Sequence, residues 1–277
     1  MTEESLETYL RARRDAGRAL LVPYVTGGLT DDWLAYVRAY ADAGADAVEI
    51  GLPFSDPMLD GGTIQEASDR ALRRGVTPDR LLDEIASAAV EVPLVVMTYS
   101  NIVFRAGAKA FCARLAEAGV SGLVVPDVPH DEAGSLSVAA TAAGIDLVLL
   151  AAPSTPPARL RSIAEESRGF IYGVTVMGTT GERASMPDSA RSVAARLREL
   201  TTRPVLLGFG ISTPEHAVEA CRHADGVVVA SALMRRVLDG ATPAEVGSDV
   251  AAIRRALDTQ VTASADALRQ ALGNEGR

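Results

Sequence analysis

Two carboxylates stand out from this sequence before any fold is considered. Glu49 interrupts an apolar run, Ala47-Val48-Glu49-Ile50, and Asp60 follows on a segment, Gly51 to Gln65, that prolines and glycines stiffen. A carboxylate in a stretch made for burial is costly unless it is paired or keeps its proton. Burial raises its pKa toward neutrality, where one group can give and take a proton. Such a glutamate is either an acid/base or a structural carboxylate held by an arginine elsewhere. Asp56 and Asp60 lie on a loop too long and stiff for a simple connection, and loops of that kind commonly cover a site.

The last third suggests a different chemistry. Val176 to Gly181, Gly208-Phe209-Gly210-Ile211-Ser212 and Ala230-Ser231-Ala232 are small-residue segments after successive apolar runs, and the last opens a helix. Glycines let backbone N–H groups approach an anion, and a helix N-terminus adds its dipole. One glycine pair would serve any turn, but three consecutive loops together point to a phosphate group.

Placing these residues requires a scaffold, and the hydrophobic pattern supplies one. Eight short apolar runs recur: Leu20 to Val25, Ala47 to Ile50, Leu94 to Met97, Gly122 to Val125, Leu147 to Leu150, Phe170 to Val174, Val205 to Leu207 and Gly226 to Val229. They lack polar alternation, as parallel strands buried on both faces should. Amphipathic stretches lie between them, including Asp31 to Ala43, Ala106 to Ala118, Asp131 to Ala143, Pro157 to Glu166, Asp188 to Leu200 and Pro214 to Cys221. Ala43-Gly44-Ala45-Asp46 and Ala118-Gly119-Val120-Ser121 read as helix end, glycine C-cap and next strand.

Eight such units favour an α/β fold closed as a (β/α)₈ barrel over an open doubly wound sheet. No G-x-G-x-x-G follows the first strand, which removes the main sign of the open dinucleotide-binding alternative. Two helices are extra: Glu3 to Ala16, placed to plug the barrel bottom, and Thr242 to Leu257 after a short helix beginning near Ser231. The expected organisation is one barrel domain over 1–260, then a polar tail over 261–277 that is either a fraying helix or disordered.

The chain has 277 residues, 48% of them hydrophobic, and a formal net charge of −9. That field repels nucleic acid and anionic membrane, though local amides can still hold a small phosphate ester. Its two cysteines, Cys112 and Cys221, offer neither a disulfide framework nor metal-ligand spacing. Met1 to Ala16 lacks the apolar core of a signal peptide, and no apolar run is long enough for a membrane helix, so the expected location is the cytoplasm.

The residues also resemble a known family. Asp46 to Pro57, followed by Asp60-Gly61 and Thr63-Ile64-Gln65, is similar to the tryptophan synthase α chain. So are Met97-Thr98-Tyr99 with Asn101, Val125-Pro126-Asp127-Val128-Pro129, Ala152 to Pro156, Gly169 to Tyr172, Gly178 with Thr180-Gly181, Gly208 to Ser212, and Ser231-Ala232. The resemblance implies a lyase that cleaves indole-3-glycerol phosphate to indole and glyceraldehyde 3-phosphate by a cofactor-free retro-aldol reaction.

It further implies that Glu49 is the general acid/base and that Asp60 holds the indole N–H. Tyr172 would line the site and Thr180 would bond the aspartate. Gly181, Gly210, Ala230 and Ser231 would surround the phosphate, while Phe209 would pack against indole; for Tyr172 and Phe209 ordinary core packing is the alternative. The family's α chain pairs with a β chain that carries pyridoxal phosphate, and Asp56, Pro57 and Asn101 match positions facing that partner. Lysine is nearly absent here and Lys109 sits mid-helix, so the cofactor would belong to the partner.

Several positions depart from the family's usual pattern. Gly62 stands where proline is common, Gly28-Leu29-Thr30 and Ile102 differ toward the partner face, Thr179 replaces a common valine, and Ala230 stands where glycine usually precedes the phosphate-binding serine. Such changes also fit a lyase that works without a β chain, or an α-like subunit that only activates one.

Overall fold

In the computed structural model, which describes residues 4–174, 188–208 and 210–274, eight parallel strands close into a barrel in sequence order. The strands are β1 (Leu20–Thr26), β2 (Val48–Gly51), β3 (Leu94–Met97), β4 (Gly122–Val124), β5 (Asp146–Ala151), β6 (Ile171–Gly173), β7 (Val205–Leu207) and β8 (Gly226–Val229). Closure comes from β1 pairing with both β2 and β8, where Tyr24 faces Glu49 and Leu21 faces Val227.

The helices are α1 (Leu6–Asp15), α2 (Trp33–Asp42), α3 (Gly62–Arg73), α4 (Pro78–Ala86), α5 (Ser100–Ala106), α6 (Ala108–Glu117), α7 (Gly134–Ala142), α8 (Pro157–Glu166), α9 (Asp188–Leu200), α10 (Pro214–Cys221), α11 (Ser231–Leu238) and α12 (Pro243–Asn274). Each strand's outward side chains join the helix layer in one continuous core. The inward ones, among them Val22, Val95, Val124, Val148, Leu206 and Val228, fill the barrel itself. Burial on both faces is why the strands read as unbroken apolar runs.

The bottom of the barrel is closed by α1, as the extra N-terminal helix predicts. Leu6 and Leu10 are fully buried among the inward side chains. Gly122 and Gly169 leave them room, since a Cβ at either would lie within 3 Å of a Leu6 methyl carbon. Ser5 caps α1 through the Thr8 amide, and the Glu7 amide donates to Asp146 at the foot of β5 at 2.8 Å. Beside it the fully buried Asp46 accepts from Arg18 at 2.6 Å, from the Leu21 amide at 2.8 Å, and from Arg13 and Arg254 at 3.3 Å. Arg254 belongs to α12, so this cluster pins the last helix to the bottom rim.

Three boundaries differ from the sequence expectation. The helix expected over Ala106 to Ala118 is α6, and ahead of it lies a short helix the sequence did not announce, α5, which Gly107 ends at φ +85°. Asp131 to Ala143 is a 3₁₀ turn, His130–Glu132, ahead of α7. The helix expected to stop near Leu257 continues to Asn274. No helix among the described residues is long and apolar enough to cross a membrane.

Candidate active site

On β2 the residues alternate. Val48 and Ile50 face the helices, while Ala47 faces the barrel interior and sets the side to which Glu49 also points. The glutamate sits at the carboxyl end of the strand with 1% of its surface exposed. Neither of its carboxyl oxygens makes a well-aligned hydrogen bond, and no arginine pairs with it among the described residues. The structural alternative, a carboxylate held by a cation, therefore has no cation to rest on. Burial, and then the negative charge of Asp60, push its pKa up to about 8. The Tyr172 hydroxyl is close enough to offset part of that rise without the alignment of a full hydrogen bond.

Asp60 is brought to the same end by the loop between β2 and α3. Its amide donates to the Pro57 carbonyl at 3.0 Å and its own carbonyl accepts from Gln65 at 2.9 Å, so the turn before α3 is closed on itself. The next strand steadies it from the side. The Leu59 amide donates to the Tyr99 hydroxyl at 3.1 Å, and the Tyr99 ring stacks on Phe54 at 5.0 Å. Tyr99 in turn precedes α5, whose first amide and hydroxyl, both from Ser100, donate to Asp127 at 2.9 and 2.6 Å. Burial raises the Asp60 carboxyl to about 6, against the Tyr99 hydroxyl, which lowers it.

The two acids thus come from β2 and the loop that follows it, close enough for the charge of one to act on the other, at the end where barrels of this kind place their chemistry. Burial pushes both carboxyls up, Glu49 further than Asp60, so the two titrate as a pair in which the glutamate holds a proton more readily. An acid and an anion side by side suit a reaction that protonates one atom and stabilises positive charge on a neighbour.

Two glycines make room for the tyrosines that flank Glu49. A Cβ on Gly208 would lie 2.1 Å from the Tyr172 ring, and one on Gly51 would lie 1.8 Å from the Tyr24 hydroxyl. Tyr172 points inward from β6 and its hydroxyl is coupled to Glu49, so it belongs to the site as well as to the packing. Tyr24 and Thr26 were not singled out by the sequence reading, and Tyr99 and the buried Thr98, whose hydroxyl has no partner among the described residues, entered it only within a stretch similar to the family and without a role. Polar residues at the ends of β1 and β3 were the available signal.

The loops expected to hold phosphate lie on the far side of β1. Ala230 is the N-cap of α11 and Ser231 its first residue, both half-buried at the end of β8, next to β1. The Thr26 amide donates to Met234 sulfur at 3.3 Å, which ties α11 to the same rim. Gly210 follows β7 with φ +50° and is exposed. Thr180, Gly181 and Phe209 lie outside the described residues.

Asp56, Pro57 and Asn101 stand apart from the site. Asp56 and Asn101 are exposed and Pro57 half-exposed, with Met58 at 77% and Phe104 at 47% exposure in the same two segments. Among the described residues no three His, Cys, Asp or Glu side chains are grouped to hold a metal ion.

Comparison with known proteins agrees with this geometry. The family described as tryptophan synthase alpha chain matches residues 10–263. A tryptophan synthase alpha chain of Gloeobacter violaceus is 47% identical over 243 residues, covering 86% of this chain and 87% of its own. Another, from a Cyanothece species, is 40% identical over 263 residues, covering 93% and 98%. Among solved structures, Mycobacterium tuberculosis tryptophan synthase superimposes with TM-score 0.84 at 34% identity, covering 91% of this chain and 97% of that one. Tryptophan synthase subunit alpha of Legionella pneumophila gives 0.84 at 27% identity, covering 92% and 98%. From barrel bottom to barrel mouth, this chain belongs to the tryptophan synthase alpha chain family.

Proposed function

We infer that the chain is a carbon–carbon lyase of tryptophan biosynthesis that cleaves indole-3-glycerol phosphate to indole and glyceraldehyde 3-phosphate. The observation that carries this reading is the buried Glu49, which no cation pairs among the described residues and which feels the charge of Asp60.

The steps follow from those two acids. Glu49 gives its proton to indole C3, which becomes tetrahedral and leaves the ring as a protonated indolenine. Asp60 accepts the hydrogen bond from the indole N–H and stabilises the positive charge there. Glu49, now a carboxylate, takes the proton of the hydroxyl on the adjoining side-chain carbon. The bond between that carbon and C3 breaks, its electrons return to the ring, and indole leaves with an aldehyde remaining. The proton lost in the first step is regained in the second, so the cycle closes without a cofactor.

Gly210, Ala230 and Ser231, with Gly181, are the proposed phosphate cradle, and Thr180 is the proposed partner of Asp60. Tyr172 and Phe209 are the proposed walls around the indole ring. The Ala230 methyl leaves the α11 amides in place and crowds the anion, so phosphate binding is weakened and kept. Exposed Asp56, Pro57 and Asn101, flanked by Met58 and Phe104, suit a face that docks a β chain, and pyridoxal phosphate would reside in that partner.

The pH dependence of indole release tests the reading. An ionised Asp60 makes the rate rise through about pH 6 and a protonated Glu49 makes it fall through about pH 8. A profile that is flat between pH 5 and 9 would remove the pair from these roles. Slow release that a β chain accelerates marks the subunit, and fast release by the chain alone marks an independent lyase.

A further inference from the structure

The mechanism above leaves one buried hydroxyl of the site unused. Tyr24 points in from β1 with 4% exposure and is the register partner of Glu49. Its hydroxyl occupies the space over Gly51, two residues beyond Glu49 on the same face of β2 and just before the loop that carries Asp60. Alternation along a strand puts residues 49 and 51 on one side about 6.5 Å apart, so this oxygen stands beyond Glu49 on the side from which the Asp60 loop leaves β2. Gly51 is there because any side chain would collide with it.

The hydroxyl is also oriented. Thr26, fully buried and two residues on, donates to the Tyr24 oxygen at 3.3 Å. Tyr24 thereby uses an oxygen lone pair on β1 and keeps its own proton for something else. Among the described residues no hydrogen bond consumes that proton. The charges that act on it are Asp60 first and Glu49 second, and the Tyr99 hydroxyl bonds Asp60 from the β3 side, leaving the rest of that carboxylate for another donor. Tyr172 faces Glu49 from β6, and Asp127 lies beyond Tyr99.

We propose that Tyr24, held from behind by Thr26, is a positioning residue of the lyase that donates its hydroxyl into the gap between Glu49 and Asp60 and holds the ionised carboxylate of the pair. The proposal rests on the roles assigned to those two acids. A donor aimed at a carboxylate favours its charged form, so it keeps Asp60 an anion while Glu49 retains the proton. It also fixes the direction of the Asp60 oxygens toward the ring nitrogen.

The test uses the full chain with carboxyl-¹³C glutamate and aspartate, titrated by NMR, and indole release measured in parallel. Variants are Tyr24→Phe, Thr26→Val and the double substitution. Tyr24→Phe keeps the ring and removes the donor. It should raise the titration midpoints of the pair by about one pH unit, the size of one lost hydrogen bond to a charge after water partly replaces it. The pH–rate profile should move the same way, with kcat falling about tenfold and KM changing less than twofold.

Thr26→Val should shift both in the same direction by less, and the double variant should match Tyr24→Phe, because the threonine acts through the tyrosine. Midpoints and profile that stay in place in Tyr24→Phe would leave Tyr24 a space-filling residue and overturn the proposal. If that variant does not fold, unmoved midpoints in Thr26→Val have the same force. Midpoints that move in a chain unable to cleave indole-3-glycerol phosphate would refute the assigned reaction and sustain the tyrosine.

Discussion

A buried acid that keeps its proton leaves a signature in stability, and Glu49→Gln exposes it. In the unfolded chain this carboxyl titrates near its ordinary value of 4.5, and in the fold it titrates at about 8. Between those values the folded state binds the extra proton, so the group's contribution to stability is complete below pH 4.5 and is lost as pH rises toward 8. At ~1.4 kcal/mol for each pH unit, the ceiling of that loss is ~5 kcal/mol. A domain has only ~5–15 kcal/mol in hand, so the effect is large enough to read directly.

Glutamine cannot ionise, and its slope from this source is zero. Urea unfolding of wild type and Glu49→Gln at pH 5, 6.5 and 8 isolates the term, because every other titrating group is common to both proteins and cancels in the difference. The stability difference should move in favour of the glutamine variant by about 3–5 kcal/mol from pH 5 to pH 8. The amide's own fit in the site shifts both ends of that comparison equally. Parallel pH profiles would show that Glu49 is ionised in the fold at ordinary pH, and the acid role would fall with it.

Other consequences follow from packing. Gly51→Ala places a methyl where the Tyr24 hydroxyl lies, 1.8 Å from its oxygen, and should lower stability by about 1–3 kcal/mol in urea melts and reduce indole release with it. Leu10→Ala opens a cavity in the plug at the opposite end of the barrel, costing ~2–5 kcal/mol while leaving kcat per folded molecule unchanged. Gly62→Pro fills the first position of α3, where proline is pre-organised and where the glycine has open space around it. That change should raise stability by about 0.4–1 kcal/mol, seen as a higher Tm.

How far the sequence could foretell this molecule depends on whether a feature is local. The strands were legible because burial on both faces writes an unbroken apolar run, and Leu94 to Met97 or Gly226 to Val229 can be read with their bounds intact. The short α5 was not, since seven residues opened by Tyr99 without a side-chain cap carry little helical signal before Gly107 ends them at φ +85°. The continuation of α12 past Leu257 was one of two readings left open, because an Ala-rich polar stretch is helix and tail alike by composition.

The site divides in the same way. Glu49 announced itself because a charge in a buried strand needs either a cation or a retained proton, and Asp60 because its loop is stiff. Tyr24 and Tyr99 carried no such mark. What brings Tyr24 in is the register of β1 on β2 together with the missing side chain of Gly51, and what brings Tyr99 in is the turn that ends in Leu59. Both depend on closure of the barrel, which no single stretch of sequence contains.

The most direct test of the two-acid account is indole release from indole-3-glycerol phosphate by Glu49→Gln, with binding of the unreacted phosphate ester measured in the same preparation. The account predicts that turnover falls by about 10²–10⁴ while the ester still binds, since the proposed anion cradle lies on the other side of β1. Turnover within a few-fold of wild type, with binding intact, would contradict it.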